Sequence, residues 1–339
     1  MENITSFRAT YASLVPQSLL QWILRRLQKK ERPISQNKQY AAEILSIILH
    51  LSPTQLSTFL TLHLPDDPLD ILLTQLSPYR KRDPDRGSDE EEEFVENVFD
   101  CVYSIVRTVH GKRRFVALEG VELAILCLTG EGKVVKARAL KVLDFAVGGV
   151  GSQLVATKIV EAGGLKILFQ MFMRNPSLET SEHLIGIFVS LFRHLPPDSA
   201  ERLRFLIKFA EKEYEKIAVL LKIREAFISK LARVDVELAE EERDPEEGDE
   251  ERRQRWYLRK VEDGGFVVQL CALLLGWLAV EDKGMREFIL QKVELDEIRE
   301  TIKGTARPTR LLLSLWVCRF MRPDFFRAIG ECRGCRGGG

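Results

Sequence analysis

Residues 119–126 read EGVELAIL and residues 162–169 read AGGLKILF, and the two stretches share one design. Each places a small turn element before a short apolar helix, and a longer helical stretch follows each of them. Gly120 and Gly164, which occupy equivalent positions, lie 44 residues apart. A turn between closely packed helices needs residues that tolerate positive φ and carry no bulky side chain. The two stretches therefore predict two copies of one helical repeat.

The spacing of these copies indicates the type of repeat. A period of 44 residues falls within the range of about 40 to 47 residues that is typical of armadillo and HEAT repeats. The segment PLDILL at residues 68–73 is similar to the same element one unit earlier, and residues 16–24 are a candidate for a still earlier copy. The alternative is a chance similarity between unrelated helices. The sequence predicts an all-α, armadillo/HEAT-like, right-handed helical solenoid.

Composition divides the chain into three parts. Residues 1–15 are predicted to be an N-terminal extension, and residues 323–339 a flexible tail rich in Gly, Arg and Cys. Residues 16–322 form the predicted armadillo-like repeat domain, with charged loops near 78–88 and 243–250. Helical spacing of apolar residues runs through nearly all of this domain, and no stretch alternates convincingly as a strand.

The spacing also predicts where the longer helices begin and end. Ser88 is predicted to cap a helix whose first turn is acidic and whose apolar face extends to Val109. Asp249–Val280 and Gly284–Lys303 are each predicted to be one helix, and Pro308–Phe320 the last helix.

The overall charge excludes one large class of function. The chain of 339 residues is 45% apolar and 29% charged, and its 50 basic residues balance its 50 acidic residues. An apolar fraction of this size is ordinary for a folded protein and excludes wholesale disorder. A protein that binds nucleic acid through bulk positive charge has a basic domain, so no direct nucleic-acid partner is expected.

The apolar segments favour a protein without disulfides or membrane spans. Six cysteines in a chain of this length do not form a disulfide framework, and most lie in apolar stretches that suit reduced core residues. The longest apolar run, Gly264–Val280, is short for a membrane span and contains Gln269, so we predict a buried helix and no membrane partner. The N-terminal residues show no secretory signal pattern.

No pattern of residues indicates catalysis. The five histidines lie in no metal-binding or catalytic motif. The segment GGVG at residues 148–151 follows a helix and lacks the Lys-Ser/Thr ending of a phosphate loop, so it predicts a turn between helices. The pair Cys332 and Cys335 is too small to complete a four-ligand zinc site. We therefore predict no enzyme, no cofactor and no metal.

Short motifs follow one another along the chain, among them LLQW at 19–22 and YLR at 257–259. The most specific are ALKVLD at 139–144 and GL at 164–165 with Phe169, Phe172-Met173 and Pro176. In this colinear order they resemble the beta-catenin-like protein 1 family of spliceosome-associated armadillo-repeat proteins. The similarity runs from about Pro16 to Leu275.

The resemblance implies a non-enzymatic scaffold in the nucleus. Members of this family are associated with the spliceosome, and specifically with the nineteen complex around its Myb-like core protein. They are also associated with basic peptides of the nuclear-localisation type. A solenoid with an extended concave face suits such ligands. The alternative function is an adaptor in cytosolic transport or in ubiquitin-ligase assembly.

The chain departs from the family pattern at both ends. The family carries a charged tail with an import signal and further repeats ahead of the helix that begins near Pro16, whereas this chain starts almost at that helix and shows no evident import signal. The similarity fades after about Gly276. The chain therefore resembles a member truncated at its N-terminus. An uncapped repeat array exposes apolar surface, so we expect helices near Leu19–Leu27 to promote homo-association.

The candidate binding residues come from the third helix of each repeat. Importin-type grooves carry Trp and Asn there, and the lack of such a ladder in this chain disfavours the generic importin-α mode of binding. The aligned pairs are Glu43 with Ile47, Asp100 with Ser104, Leu140 with Asp144, and Val189 with Arg193. We predict peptide binding by Glu43, Asp100, Ser104, Asp144 and Arg193, and the alternative role of their charged side chains is local ion pairing with neighbouring charged residues.

Overall fold

The computed structural model describes residues 15–85, 88–174, 176–241 and 248–304. Within these ranges the chain is all-α, as the sequence predicts, with a 3-10 turn at Ser77–Arg80 and a π-helical turn at Val261–Gly265. The helices are α1 (Gln17–Gln28), α2 (Gln36–Leu51), α3 (Pro53–Leu60), α4 (Pro68–Leu76), α5 (Asp89–Val106), α6 (Val109–Ala117), α7 (Gly120–Thr129), α8 (Lys133–Val147), α9 (Gln153–Glu161), α10 (Gly164–Phe172), α11 (Leu178–His194), α12 (Ala200–Glu240), α13 (Asp249–Lys260), α14 (Phe266–Glu281), α15 (Lys283–Leu290) and α16 (Leu295–Gly304).

The lengths of the helices show the repeat directly. Two short helices precede one long helix three times in succession: α3, α4 and α5 have 8, 9 and 18 residues, α6, α7 and α8 have 9, 10 and 15, and α9, α10 and α11 have 9, 9 and 17. The two glycine-containing stretches open α7 and α10, the second helix of their triplets. This arrangement confirms the armadillo-type repeat that the spacing of the two glycines predicts.

The turn before the second helix uses two adjacent residues for two purposes. The left-handed residue is Glu119 (φ 57°) in one copy and Gly163 (φ 75°) in the next. The following glycine allows close packing, because a Cβ on Gly120 would overlap the Phe115 ring and one on Gly164 would lie 2.8 Å from the Ile159 carbonyl oxygen. The sequence pattern predicts both properties at the glycine, and the structure divides them between two neighbouring positions.

The chain folds as two compact units, the first ending at Ile167 and the second beginning at Leu168. The first unit buries the whole apolar face of α1, including Leu20, Ile23 and Leu27. The expectation that residues 19–27 expose apolar surface is therefore wrong for that face. Within α1 it is Trp22 on the opposite side that is exposed, at 56%.

A buried lysine fixes the glycine-rich turn between α8 and α9. Lys112 on α6 donates hydrogen bonds to the Gly148 carbonyl and to the Ser152 hydroxyl, the latter at 2.7 Å. Burial of an ammonium group is tolerated only where such acceptors surround it. The segment at residues 148–151 is therefore a turn between helices, as predicted.

A cluster of phenylalanines forms the core of the second unit. Phe169 stacks on Phe188 with ring centroids 4.6 Å apart, and Phe209 lies edge-on to Phe169 at 5.0 Å. Phe205 contacts the same group. Offset and edge-to-face contacts of this kind are favourable beyond the area that they bury. The long helix α12 is interrupted within its length, because residues 212–214 have positive φ.

The apolar helix predicted at residues 249–280 is not continuous. Gly264, with φ 116°, lies in the π-helical turn between α13 and α14, and a Cβ at this position would overlap the Phe227 ring. The stretch Asp249–Glu281 is long and apolar enough to cross a membrane by length and composition alone, but 67% of its apolar window is buried inside the fold. This degree of burial is what the sequence predicts for a core helix.

Other predicted boundaries change for local reasons. Ser88 caps α5 as predicted, since its hydroxyl accepts a hydrogen bond from the Glu91 N–H, but α5 ends at Val106. Thr108 then caps α6 by accepting a hydrogen bond from the Gly111 N–H. The predicted helix at 284–303 is two helices, α15 and α16.

Some predictions fall outside the described residues. These are the predicted helix at 308–320, the tail at 323–339, most of the N-terminal extension, and Cys318, Cys332 and Cys335. Cys101, Cys127 and Cys271 are free and buried. Burial raises the pKa of the Cys127 and Cys271 thiols to about 12, so these groups suit reduced core residues.

Candidate peptide-binding surface

The long third helices of the first unit lie side by side, with α5 between α2 and α8. The Gln39 side chain of α2 donates to a Glu93 oxygen of α5 at 2.6 Å, and the Ser46 hydroxyl of α2 lies 3.0 Å from the Asn97 side-chain oxygen. On the other side of α5, Arg138 of α8 forms an ion pair with Glu96 at 2.6 Å. These contacts connect equivalent positions of successive repeats.

The side chains on one face of α5 are acidic near the beginning of the helix and aromatic or basic near its end. Residues three or four apart on a helix lie above one another, so a single line along α5 contains both acidic and basic side chains. Its members, in order, are Glu93, Glu96, Asp100, Tyr103 and Arg107. We define the acidic stripe as Glu93, Glu96 and Asp100 together with Glu43 of α2.

The predicted residues Glu43 and Asp100 lie within this stripe. Glu43 is half-buried and accepts a hydrogen bond from the Gln39 side chain at 3.4 Å. The side chain of Asp100 is 44% exposed, and one of its oxygens lies 3.7 Å from an Arg138 nitrogen. Carboxylates in this setting are accessible to a basic ligand. Asp100 also forms the local ion pair that was the alternative interpretation.

The other predicted residues have different surroundings. Ser104 and Asp144 are 4% and 8% exposed, and the Ser104 hydroxyl has no hydrogen-bond partner among the described residues. Leu140 and Val189, the residues aligned with the importin-type ladder, are buried. Arg193 is half-buried on α11 and belongs to the second unit. Peptide binding by the five predicted residues stays a prediction.

Several side chains on this face were missed by the sequence alignment. Glu93 and Glu96 precede Asp100 by seven and four residues, which is the helical spacing that could have identified them. On α8 the basic side chains that reach α5 are Arg138 and Lys141, one or more positions away from the aligned pair Leu140 and Asp144. A shift of one residue rotates a side chain by about 100° around the helix, which explains the error.

Beyond the acidic stripe, Tyr103 lies among cations and a second aromatic ring. The Tyr103 ring meets the Phe145 ring edge-on at 4.5 Å. The Lys141 ammonium lies 5.0 Å from the centroid of Tyr103 and the Arg107 guanidinium 5.6 Å from it, both within the range of cation–π contact. We call Tyr103, Arg107, Lys141 and Phe145 the tyrosine–cation cluster.

A cavity of about 1110 Å³ lies elsewhere in the first unit, between the α1–α2 turn and the beginning of α5. Two of its acidic groups pair with Arg82, which lies 2.8 Å from Asp85 and 3.2 Å from Glu91. Although burial opposes it, hydrogen bonds from the Asp85 N–H and the Tyr79 hydroxyl hold the pKa of Glu91 below its usual value. These contacts hold the segment before α5 against the beginning of that helix.

The described residues contain no group of three or more His, Cys, Asp or Glu side chains that could hold a metal ion. The described surface of the first unit presents accessible carboxylates and cations side by side on adjacent helices. Such an arrangement can bind charged side chains of an extended peptide through charge-assisted hydrogen bonds.

Comparisons with known proteins agree with this architecture. The model of the family described as "Catenin-beta-like, Arm-motif containing nuclear" matches residues 1–304. The Beta-catenin-like protein 1 homolog of Schizosaccharomyces pombe is 38% identical over 311 residues, covering 90% of this chain and 53% of the relative. Beta-catenin-like protein 1 of Homo sapiens is 32% identical over 289 residues, covering 81% and 50%.

A crystal structure of an engineered protein matches with a TM-score of 0.51 and 14% identity, covering 83% of this chain and 93% of that one. At this identity the match concerns the fold alone. The chain spans about half the length of the curated relatives that it matches.

Proposed function

Because the chain belongs to the catenin-beta-like family of Arm-motif proteins, we propose that it is a non-catalytic adaptor in pre-mRNA splicing that binds basic peptide segments of splicing factors. Armadillo-type repeats are built for protein–protein interaction, since stacked repeats present an extended surface. The proposed partners are spliceosomal proteins, especially the Myb-like core protein of the nineteen complex. Nuclear-localisation-type peptides are the proposed ligand class.

The observation that supports peptide binding is the acidic stripe. Four carboxylates, on two adjacent third helices, lie within one continuous face of the first unit. A guanidinium or ammonium group that approaches this face meets acceptors that are partly shielded from water, where charge-assisted hydrogen bonds are stronger than at a fully exposed site. Electrostatic attraction would also steer a basic peptide towards it.

Binding measurements with a basic peptide test the role of the stripe. We expect the double variant Glu96→Gln/Asp100→Asn to weaken binding several-fold, because each partly exposed charge pair contributes up to about 1 kcal/mol. The matched control is Glu237→Gln/Glu240→Gln, which removes two exposed carboxylates of α12 in the second unit. Equal affinity of the two double variants would contradict a specific role for the stripe.

The proposed assembly is tested in cells with the full-length protein. We propose a nuclear location, which the word "nuclear" in the family description supports. Affinity purification from nuclear extract followed by mass spectrometry should recover nineteen-complex proteins. A cytoplasmic protein that recovers transport or ubiquitin-ligase components would instead favour an adaptor in those processes. We also propose that the chain associates with a second copy of itself through exposed apolar side chains of the first unit.

A further inference from the structure

We propose that the tyrosine–cation cluster binds an anionic residue of the same peptide whose basic residues lie on the acidic stripe. This inference rests on the proposed function and makes it more specific. The partner is then a mixed-charge peptide, in which a basic residue and a carboxylate or phosphate group lie close together in sequence. A uniformly basic peptide would use only the acidic half of the surface.

The first argument concerns the charges of the cluster. Arg107 is exposed and Lys141 is half-buried, and neither forms an ion pair with a carboxylate within the described part of the chain. Arg138, three residues before Lys141 on the same helix, differs in this respect because Glu96 and Asp100 both lie within ion-pair distance of it. Arg107 and Lys141 can therefore attract an anionic group of a ligand. The carboxylates of the neighbouring acidic stripe can attract its basic groups.

The second argument concerns how the cluster is held. The edge-on contact with Phe145 fixes the Tyr103 ring, and both cations lie against that ring. Long basic side chains usually lose much rotamer freedom when they bind a ligand. Here the aromatic contacts already restrict them, so less conformational entropy remains to be lost on binding.

The helix dipole is the alternative explanation for one of the two cations. Arg107 is the residue that follows α5, where positive charge is favourable for the helix itself. Lys141 lies six residues before the end of α8, beyond the last turn in which this effect acts. Lys141 is therefore the position that separates ligand binding from helix stabilisation.

Distance sets the spacing of charges in the partner. Asp100 lies seven residues before Arg107, the C-cap residue of α5, which corresponds to about 10 Å along the helix axis. An extended peptide covers this distance with about three residues. The geometry points to a basic residue and an anionic residue separated by about three positions.

The experiment uses fluorescence anisotropy with a set of labelled peptides of equal length. All share one basic segment. They carry glutamate, phosphoserine or, as reference, glutamine three residues before or three residues after it. The proteins are the full chain with the natural sequence, Lys141→Gln, and the control Lys136→Gln, which removes a positive charge on the opposite side of α8 from Arg138. Thermal unfolding of each variant tests whether its fold is retained.

We expect an anionic residue in one of the two placements to tighten binding about threefold relative to glutamine. This gain should persist in Lys136→Gln and disappear in Lys141→Gln. A gain with glutamate means that a carboxylate suffices, and a gain confined to phosphoserine assigns the site to phosphate.

The inference is overturned if neither placement tightens binding, or if Lys141→Gln keeps the full gain. Failure of the proposed function gives a different result, because the reference peptide with glutamine then fails to bind at all. If the reference peptide binds and the anionic residue has no effect, the proposed basic-peptide site is retained. The proposed role of the tyrosine–cation cluster is then rejected.

Discussion

At the scale of single residues, Arg138 forms ion pairs with carboxylates that a basic peptide would have to contact. Its guanidinium lies 2.6 Å from a Glu96 oxygen and 3.7 Å from an Asp100 oxygen, so the protein supplies its own cation to the acidic stripe. A ligand arginine must displace this group or share its acceptors. Such internal competition lowers affinity and can favour ligands with several basic residues.

We expect Arg138→Gln to bind a basic peptide several-fold more tightly than the natural sequence, because it frees two carboxylates and removes a like charge from the site. Peptide titration followed by fluorescence anisotropy measures the change. Lys136→Gln is the control, since it changes the net charge equally on another side of α8. Equal gains in both variants would show a long-range charge effect only.

At the scale of elements, the turn before the second helix of each repeat carries strain in one copy and not in the next. Glu119 adopts a left-handed conformation that a residue with a Cβ adopts at a cost of about 1 kcal/mol, whereas Gly163 adopts it freely. Among the described residues no atom lies within 4 Å of a Cβ built at Gly163, so the expected cost of a side chain there comes from the backbone conformation.

We therefore predict opposite effects for two substitutions. Glu119→Gly should raise the free energy of unfolding by up to about 1 kcal/mol, and Gly163→Ala should lower it by about the same amount. Chemical denaturation monitored by circular dichroism measures both. A loss of stability in Glu119→Gly would mean that the Glu119 side chain contributes more than its backbone conformation costs.

The turn between α1 and α2 is predicted to be sensitive to acid. Hydrogen bonds from Arg26 and Ser35 lower the pKa of Glu31 to about 2. Because this pKa is lower in the folded state than in the unfolded state, the stabilisation is complete above about pH 4.5 and is lost as the pH falls towards 2.

Unfolding in urea at several pH values tests this prediction. The natural sequence should be more stable than Glu31→Gln at pH 6, and the difference should shrink steadily between pH 4.5 and pH 2. Glu225→Gln, at an exposed carboxylate of α12 away from the helix ends and without a described partner, is the control. A difference between Glu31→Gln and the natural sequence that stays constant with pH would show that the charge of Glu31 is not responsible.

At the scale of the whole molecule, the first unit exposes an apolar row on α2. Tyr40, Ile44 and Ile47 follow helical spacing and are each more than 40% exposed. Contiguous exposed apolar side chains favour association with another surface. The sequence predicts such a surface near residues 19–27, whereas in the structure this apolar row lies on the next helix.

We expect the purified chain to show a mass in light scattering that rises with concentration. Ile44→Lys should reduce this rise, because it places a charge in the middle of the apolar row. Val236→Lys, at an exposed apolar position of α12 in the second unit, is the control. A constant monomeric mass at high concentration for the natural sequence would refute homo-association.

The sequence by itself determined the fold class, the repeat and the family. The period of 44 residues, the caps at Ser88 and the pattern of apolar residues are local or periodic properties, and local interactions are sufficient to specify helices and turns. It also identified Glu43 and Asp100 as candidates, since both align with the ladder positions of importin-type third helices.

Only the tertiary structure decided which side chains share one surface. The rotation of α8 about its axis, fixed by packing against its neighbours, brings Arg138 and Lys141 to α5 and buries Asp144. The same packing pairs Asp100 with a cation and leaves Lys141 and Arg107 without a carboxylate partner among the residues that the structure describes. Contacts between residues about 40 positions apart depend on how helices pack, and no pattern within one helix contains that information.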